Sequence, residues 1–137
     1  MDDSNKCYIV DRGMIEDRTI FAQNYIDGGI LSEDETKEYK KTFESYFKKV
    51  KSPDYYVYLR ASTDTLMARI NSRARGMETT IERSYIEDLQ KLYEFNMMPK
   101  IEESEINHSI IETDFMDSHL VVSTTYENIM QIERTAI

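Results

Sequence analysis

The chain of 137 residues has few glycines, prolines and cysteines and no tryptophan, with four Gly, two Pro and one Cys. A single Cys excludes an internal disulfide, and Cys7 lies in an apolar run where we expect a buried thiol that packs as a small hydrophobe. No apolar run reaches membrane-spanning length, and the first residues carry acids instead of the basic and apolar regions of a signal peptide. We therefore expect a cytoplasmic protein with no membrane partner.

Acidic residues are in excess, because 26 Asp and Glu face 17 Lys and Arg and give a formal net charge of -9. This balance argues against nucleic acid as a partner, since phosphate contacts from Lys and Arg dominate that affinity. His108 and His119 have no Cys or acidic partner at metal-ligand spacing, so no metal site is predicted. An apolar share of 40% suits the modest core of one domain over residues 1–137.

Helical and strand patterns alternate along the chain, which predicts an α/β fold. Ser32 and Glu35 form a capping box at the start of an aromatic helix that we expect to end near Pro53. The predicted elements are, in order, a strand at Cys7–Val10, helices over about 13–27 and from 33, a buried strand at Tyr55–Leu59, helices from Ser62 and over about 81–101, a strand at Asn107–Glu112 and a helix from Ser123.

Three arginines, Arg69, Arg73 and Arg75, lie within seven residues and are followed by Glu78. On a helix Arg69 and Arg73 share one face, and Gly76 lets the backbone turn away after them. Guanidinium groups match phosphate oxygens, and such a cluster repels itself unless an anion is near, so the pattern predicts a phosphate site. A solvated helix face paired with glutamates is the alternative interpretation.

Asp11 and Arg12 directly follow the first apolar run. In open α/β sheets ligands bind beyond the carboxyl ends of strands, so this pair lies where chemistry is expected. A Coulomb pair at a helix start explains the two residues equally well, because a carboxylate there favours the helix dipole.

Together these segments resemble the deoxynucleoside kinase family, and its purine-type members most closely. Val10-Asp11-Arg12-Gly13 stands where the family has an Asp/Glu-Arg-Ser motif. The resemblance extends from about Lys6 to Asp114. The other matching segments are Glu16-Asp17, Ile20-Phe21-Ala22, Tyr56 to Arg60, Asp64, Arg69-Ile70, Arg73-Ala74-Arg75 and Glu78.

The resemblance implies substrate-binding roles for five residues. Arg12 corresponds to a clamp on the nucleoside 5′-oxygen and the transferred phosphate, with Asp11 orienting it. Asp17 corresponds to an acid that accepts a hydrogen bond from a base-reading Arg. Phe21 corresponds to the aromatic residue that stacks on the base, a contact that the sequence does not distinguish from core burial. Glu78 corresponds to the acid that binds the sugar 3′-hydroxyl.

The resemblance also implies a donor site for ATP with Mg²⁺. Arg69, Arg73 and Arg75 are similar to the arginines that neutralise the transferring phosphoryl group, and Arg73 and Arg75 would also hold the donor. The loop over the donor adenine corresponds to Thr113, Asp114 and Phe115.

The family fold is a P-loop NTPase-like three-layer sandwich around a parallel sheet, and one of its parts has no counterpart in this sequence. Its GxxxxGKS/T loop is absent, because the glycines here are Gly13, Gly28, Gly29 and Gly76. The family's early general base and base-reading Gln are also missing, and Gly13 replaces the motif's Ser. We therefore expect the last two thirds of such a kinase, with a sheet that lacks the central P-loop strand.

The sequence thus predicts transfer of the ATP γ-phosphate to the 5′-hydroxyl of a purine deoxynucleoside, in nucleotide salvage, by a homodimer. We expect this chain alone to be inactive and to self-associate through unpaired strand edges. A catalytically dead remnant that serves as a nucleotide-binding or dimerisation module is the alternative. A fragment of a nucleoside monophosphate kinase shares the arginine-rich lid but explains the stretch from Asp11 to Phe21 less well.

Overall fold

The computed structural model describes residues 7–73, 76 and 80–135, and the side chains of residues 132–135 are not among those it describes. The chain divides into two compact units, Met1–Val50 and Lys51–Ile137. In the part of the chain that the structure describes, no helix is both long and apolar enough to cross a membrane.

The first unit contains a helix, α1, that covers residues 14–27. It has three consecutive segments: the α-helical Met14–Glu16, the π-helical Asp17–Ala22 and the α-helical Gln23–Asp27. Gly28 caps the helix, and Gly29 then adopts a left-handed backbone with φ of 66°. This confirms the predicted helix and its glycine stop, because glycine enters the left-handed region without a Cβ penalty.

The predicted strand at Cys7–Val10 is wrong. Residues 7–10 have no regular secondary structure, and the side chains of Tyr8, Ile9 and Val10 are 70%, 90% and 74% exposed. A strand needs a neighbour that takes its backbone hydrogen bonds and covers its apolar side chains, and no strand among residues 7–73 and 80–135 pairs with this segment. Cys7 is exposed for the same reason, so its predicted burial is also wrong.

The second helix, α2, covers Glu33–Phe47 and begins with the predicted capping box. The Ser32 backbone N–H donates to Glu35 Oε2 at 2.9 Å, and the Glu35 backbone N–H donates to Ser32 Oγ at 3.3 Å. Hydrogen bonds from the Ser32 side chain and backbone hold the pKa of Glu35 below its usual range. The helix ends before the position expected near Pro53.

Aromatic side chains run along α2 at helical spacing. The ring centroids of Tyr39 and Phe43 are 6.1 Å apart, and those of Phe43 and Phe47 are 5.3 Å apart. Phe43 is buried, whereas Phe47 is 38% exposed. The row therefore contributes apolar burial near its middle, in agreement with the predicted amphipathic helix.

The second unit contains two parallel strands, β1 (Tyr55–Arg60) and β2 (Asn107–Glu112), with Tyr55 opposite Asn107 and Arg60 opposite Glu112. Both predicted strands are confirmed. Parallel strands need a long crossover connection, and here it is helical. The crossover consists of α3 (Thr63–Arg73) and of α4, whose segments are Arg83–Leu92, the π-helical Tyr93–Met97, and Met98–Glu103. The last helix, α5, covers Ser118–Thr135 and begins five residues before the predicted Ser123.

Strand β1 is only half buried, although its apolar run predicts a buried central strand. Tyr58 is 9% exposed and its ring stacks on Tyr93 of α4 at 5.3 Å, but Leu59 is 49% exposed. Successive side chains of a strand point to opposite faces, so α4 covers the Tyr58 face. Burial and the charge of Glu94, which accepts a hydrogen bond from the Tyr58 hydroxyl at 3.2 Å, raise the pKa of Tyr58.

The core of the second unit lies where α4 meets the sheet. Met97 and Ile101 of α4 are essentially inaccessible, and the Tyr56 hydroxyl donates to Met97 Sδ at 3.4 Å. The buried apolar residues of this unit are Tyr58, Ala61, Ile70, Ile86, Met97, Met98, Ile101 and Ile111.

Truncating Ile101 tests this core, because its side chain is 1% exposed. We expect Ile101→Ala to lower the free energy of unfolding by about 2–5 kcal/mol through lost burial and a residual cavity. The control is Phe95→Ala on the same helix, where the ring is 80% exposed and the change should stay within about 0.5 kcal/mol. Equal losses in urea unfolding would contradict this assignment of the core.

Candidate functional site

In the first unit, two of the predicted substrate-binding residues lie in contact. The Cζ atom of Arg12 lies 5.3 Å from the centroid of the Phe21 ring, a cation–π geometry. Arg12 also has a left-handed backbone with φ of 63°, which is uncommon for a residue with a Cβ atom. Such conformations cost about 1–3 kcal/mol and occur preferentially at ligand-binding and active sites. Arg12 therefore adopts a left-handed backbone conformation in the turn that precedes α1.

Glu16 fixes the start of α1 behind that turn. Its Oε2 atom accepts a hydrogen bond from the Gly13 backbone N–H at 2.9 Å, and the side chain is 6% exposed. Thr19, also buried, donates from Oγ1 to the Ile15 carbonyl at 2.7 Å. The sequence marks Glu16 only as part of a motif. The contact shows that it anchors the backbone of the residue that follows Arg12.

Asp17 and Phe21 lie in the same π-helical segment, Asp17–Ala22. A π-helical turn holds one more residue per turn than an α-helix, and such turns are frequent at functional sites. Asp17 is exposed and Phe21 is half buried. Burial, and after it the charge of Asp17, raise the pKa of Tyr39 on α2, so the Asp17 carboxylate lies within electrostatic reach of Tyr39.

In the second unit, the structure brings Arg69 onto the end of β2. Arg69 Nη1 donates to Thr113 Oγ1 at 3.0 Å, and Nη2 donates to the Thr113 carbonyl. The Thr113 backbone N–H and Oγ1 in turn donate to the Arg60 carbonyl at 2.8 and 3.0 Å. Two residues that were predicted for different parts of the donor site are therefore joined directly.

Asp114 connects the same loop to the turn between β1 and α3. Its Oδ1 atom accepts hydrogen bonds from the Ser62 backbone N–H at 2.7 Å and from Ser62 Oγ at 3.0 Å. These bonds, the backbone one foremost, hold the pKa of Asp114 below its usual range. The next residue, Phe115, is 100% exposed. The loop lies beyond the carboxyl ends of both parallel strands, where ligands bind in open α/β sheets.

The remaining predicted residues are placed less fully. Arg73 is the exposed last residue of α3, and Asp11 is exposed in the segment before α1. Arg75 and Glu78 lie outside the described residues. No group of three or more His, Cys, Asp or Glu side chains that could hold a metal is present in the described ranges.

A network that the sequence analysis missed occupies the end of β1. Arg60 pairs through Nε with Glu112 Oε1 at 2.8 Å and through Nη1 with Glu94 Oε2 at 3.3 Å. The sequence feature that could have revealed it is an arginine at the end of one predicted strand, Arg60, and a glutamate at the end of the other, Glu112. Parallel pairing places these two residues side by side. The network connects β1, β2 and the π-helical turn of α4.

The geometry at Gly13 permits the serine that the resembling family has there. Gly13 has an extended backbone, and an added Cβ atom would meet Glu16 Oε2 at 3.5 Å, an ordinary contact. We expect Gly13→Ser to raise the free energy of unfolding by roughly 0.3 kcal/mol through an N-cap hydroxyl. The control is Gly29→Ser, where φ of 66° should cost about 1 kcal/mol although space is open. A loss at both positions in urea unfolding would contradict the cap geometry.

Comparison with known proteins identifies relatives of this chain. Deoxyadenosine/deoxycytidine kinase of Bacillus subtilis (strain 168) is 34% identical in an alignment of 102 positions, which covers 67% of this chain and 46% of that protein. Deoxyguanosine kinase of the same organism is 31% identical over 84 residues, 61% of this chain and 40% of that protein. Deoxyadenosine kinase of Lactobacillus acidophilus is 30% identical in an alignment of 107 positions, which covers 68% of this chain and 49% of that protein.

The chain thus spans less than half the length of these three relatives. The match to the family as a whole is more extensive, because the sequence pattern of the deoxynucleoside kinases covers residues 1–137. With the Asp11-Arg12 turn, the π-helical Asp17–Ala22 segment and the parallel strands in place, this match is decisive: the chain belongs to the deoxynucleoside kinase family.

Proposed function

We propose that this chain carries nucleoside and donor recognition for the transfer of the ATP γ-phosphate to the 5′-hydroxyl of a purine deoxynucleoside in nucleotide salvage. The observation that supports this best is the Arg12 guanidinium 5.3 Å from the Phe21 ring, with Asp17 in the same π-helical segment as that ring. The names of the three relatives include deoxyadenosine and deoxyguanosine, which favours a purine substrate.

The three residues of the first unit offer complementary chemistry for a nucleoside. A half-buried aromatic ring supplies the flat apolar surface on which a base stacks. The exposed Asp17 carboxylate accepts hydrogen bonds from a base edge or from a base-reading guanidinium. Arg12, held beside that ring at a strained turn, offers a forked donor to the 5′-oxygen and the transferred phosphoryl group. Asp11 orients Arg12 in this proposal.

The second unit supplies the donor side in the same proposal. The exposed Phe115 ring and the Asp114 carboxylate, beyond the carboxyl ends of β1 and β2, suit recognition of a donor adenine. Arg73 and Arg75 stabilise the charge that develops on the transferring phosphoryl group, which is the main catalytic task in such reactions. Glu78 accepts a hydrogen bond from the sugar 3′-hydroxyl.

The proposal includes the family's architecture and assembly. The strands β1 and β2 form part of a parallel sheet in a three-layer sandwich whose central strand carries the P-loop. The active protein is a cytoplasmic homodimer that uses ATP. Because the described residues include no group of three or more metal-binding side chains and the sequence has no GxxxxGKS/T loop, we assign no step to a metal held by this chain.

A turnover assay tests the proposed reaction. We expect no phosphorylation by the chain alone, because donor phosphates must be fixed by backbone amides and a lysine of a glycine-rich loop. Fusion to the part of the Bacillus subtilis deoxyadenosine/deoxycytidine kinase that this chain does not match should give ATP-dependent phosphorylation of deoxyadenosine or deoxyguanosine. In the fusion, Arg12→Ala should lower kcat by about 100-fold or more.

Two results would count against this reaction. One is a folded, soluble fusion that phosphorylates no deoxynucleoside, which favours a nucleotide-binding or dimerisation module. The other is a fusion whose turnover is indifferent to Arg12→Ala, since the activity would then not depend on this chain's clamp.

Substrate choice is tested separately in the same fusion. We expect Asp17→Ala to cost roughly 2–4 kcal/mol in kcat/KM for purine deoxynucleosides, because a polar partner loses its charge-assisted hydrogen bond, and far less for thymidine. Asp27→Ala at the end of the same helix is the matched control and should leave the purine preference unchanged. Arg75→Ala should lower turnover for every nucleoside alike. Equal losses for all nucleosides in Asp17→Ala would make Asp17 a structural acid.

A further inference from the structure

Thr113 is the centre of a hydrogen-bond network that joins three elements. It accepts two bonds from Arg69 of α3, one at Oγ1 and one at its carbonyl. It donates two bonds to the carbonyl of Arg60 at the end of β1. Thr113 itself is 2% exposed. Because Thr113 is shielded from water, the loss of bonds in this network costs more than it would at an exposed residue.

A second anchor follows one residue later. Asp114 Oδ1 accepts two hydrogen bonds from Ser62, whose Oγ atom also accepts from the Thr65 backbone N–H at 3.3 Å at the start of α3. The segment of residues 113–117, here termed the post-β2 loop, also contains a turn in which the Met116 N–H donates to the Thr113 carbonyl at 3.2 Å. The loop is therefore anchored at two consecutive residues, with Thr113 bonded to β1 and α3 and Asp114 bonded to the connection between them.

These anchors hold a fully exposed aromatic ring. Phe115 is 100% exposed, yet the side chains of the two residues before it, Thr113 and Asp114, are hydrogen-bonded to Arg69 and Ser62. An anchored loop loses less conformational entropy when a ligand binds to it. An exposed ring on such a loop is therefore a better stacking surface than a ring on a flexible loop.

We propose that Arg69 is a positioning residue, which fixes the post-β2 loop through Thr113 so that Phe115 presents its ring to the donor base. The inference rests on the proposed kinase function for the identity of the ligand, a purine base. It gives Arg69 a role different from that of Arg73 and Arg75, which act on the phosphoryl group.

The bonds of Arg69 support this division of roles. The forked donors of a guanidinium match two phosphate oxygens through the same Nη atoms that Arg69 already directs to Thr113. A phosphate that took these two N–H groups would break both bonds, and the guanidinium has three further N–H donors. Such a contact would leave Thr113 Oγ1 without the Arg69 donor and the Thr113 carbonyl with the Met116 N–H alone.

Hydrogen exchange in the absence of ligand tests the anchoring. We expect Arg69→Ala to speed exchange of the Thr113 and Met116 backbone N–H groups by about tenfold, because the loop loses its link to α3. Arg69→Lys should behave like Arg69→Ala, since a lysine keeps the charge but cannot form the fork. Arg73→Ala, one turn later on the same helix, is the matched control and should leave these rates unchanged. Unchanged exchange in Arg69→Ala and Arg69→Lys would overturn the proposal.

Ligand titrations test what the loop presents. The chain has no tryptophan, so Phe115→Trp introduces a single indole whose fluorescence reports on this loop. With adenosine as the probe, adding Arg69→Ala to this variant should weaken quenching by about tenfold through loss of preorganisation. Binding of inorganic tripolyphosphate should stay unchanged.

Two other results would contradict the proposal. If Arg69→Ala weakens tripolyphosphate but not adenosine, Arg69 is a phosphate contact. If exchange rises in Arg69→Ala but adenosine does not quench the indole with Arg69 intact, the loop is anchored but does not present a base site. The turnover of the fusion protein decides the kinase function independently of either result.

Discussion

The parallel pairing of β1 with β2 is the constraint on which the second unit depends. It places Arg60 opposite Glu112, so both strands end at one edge of the sheet. The next residue, Thr113, continues the ladder by donating its N–H to the Arg60 carbonyl. Because two parallel strands cannot be joined by a tight turn, α3 and α4 must cross between them. The polar side chains that leave this edge consequently converge where a ligand can approach.

The ion pairs of Arg60 at this edge orient side chains but contribute little to the stability of the fold. The pairs of Arg60 with Glu94 and Glu112 are partly exposed, and such pairs contribute only about 0–1 kcal/mol each. Stability comes instead from the apolar contacts of α4, where Met97 and Ile101 are inaccessible. In the first unit, Ile20 of α1 is likewise fully buried, whereas Arg12 is exposed.

Local patterns were enough to predict the elements that carry their own signals. The capping box at Ser32 and the strands at Tyr55–Leu59 and Asn107–Glu112 were predicted from adjacent residues. Cys7–Val10 has an equally strong strand pattern but no partner strand in the described part of the chain, because pairing is decided by distant residues. The hydrogen bond from Arg69 to Thr113 joins residues that are 44 positions apart, and no local sequence pattern predicts it. The sequence predicted separate substrate-binding roles for Arg12 and Phe21, but it did not predict that the two side chains are in contact.

The most direct test of nucleoside recognition in the first unit is a titration of the isotopically labelled chain with deoxyadenosine, followed by NMR. We expect saturable shifts of the Phe21 ring and of the Arg12 side-chain N–H signal, because the base and the 5′-oxygen contact these groups. The Phe43 ring, buried on α2, should shift much less and serves as the internal control. A folded chain in which deoxyadenosine shifts the signals of neither Phe21 nor Arg12 would contradict nucleoside binding at this site.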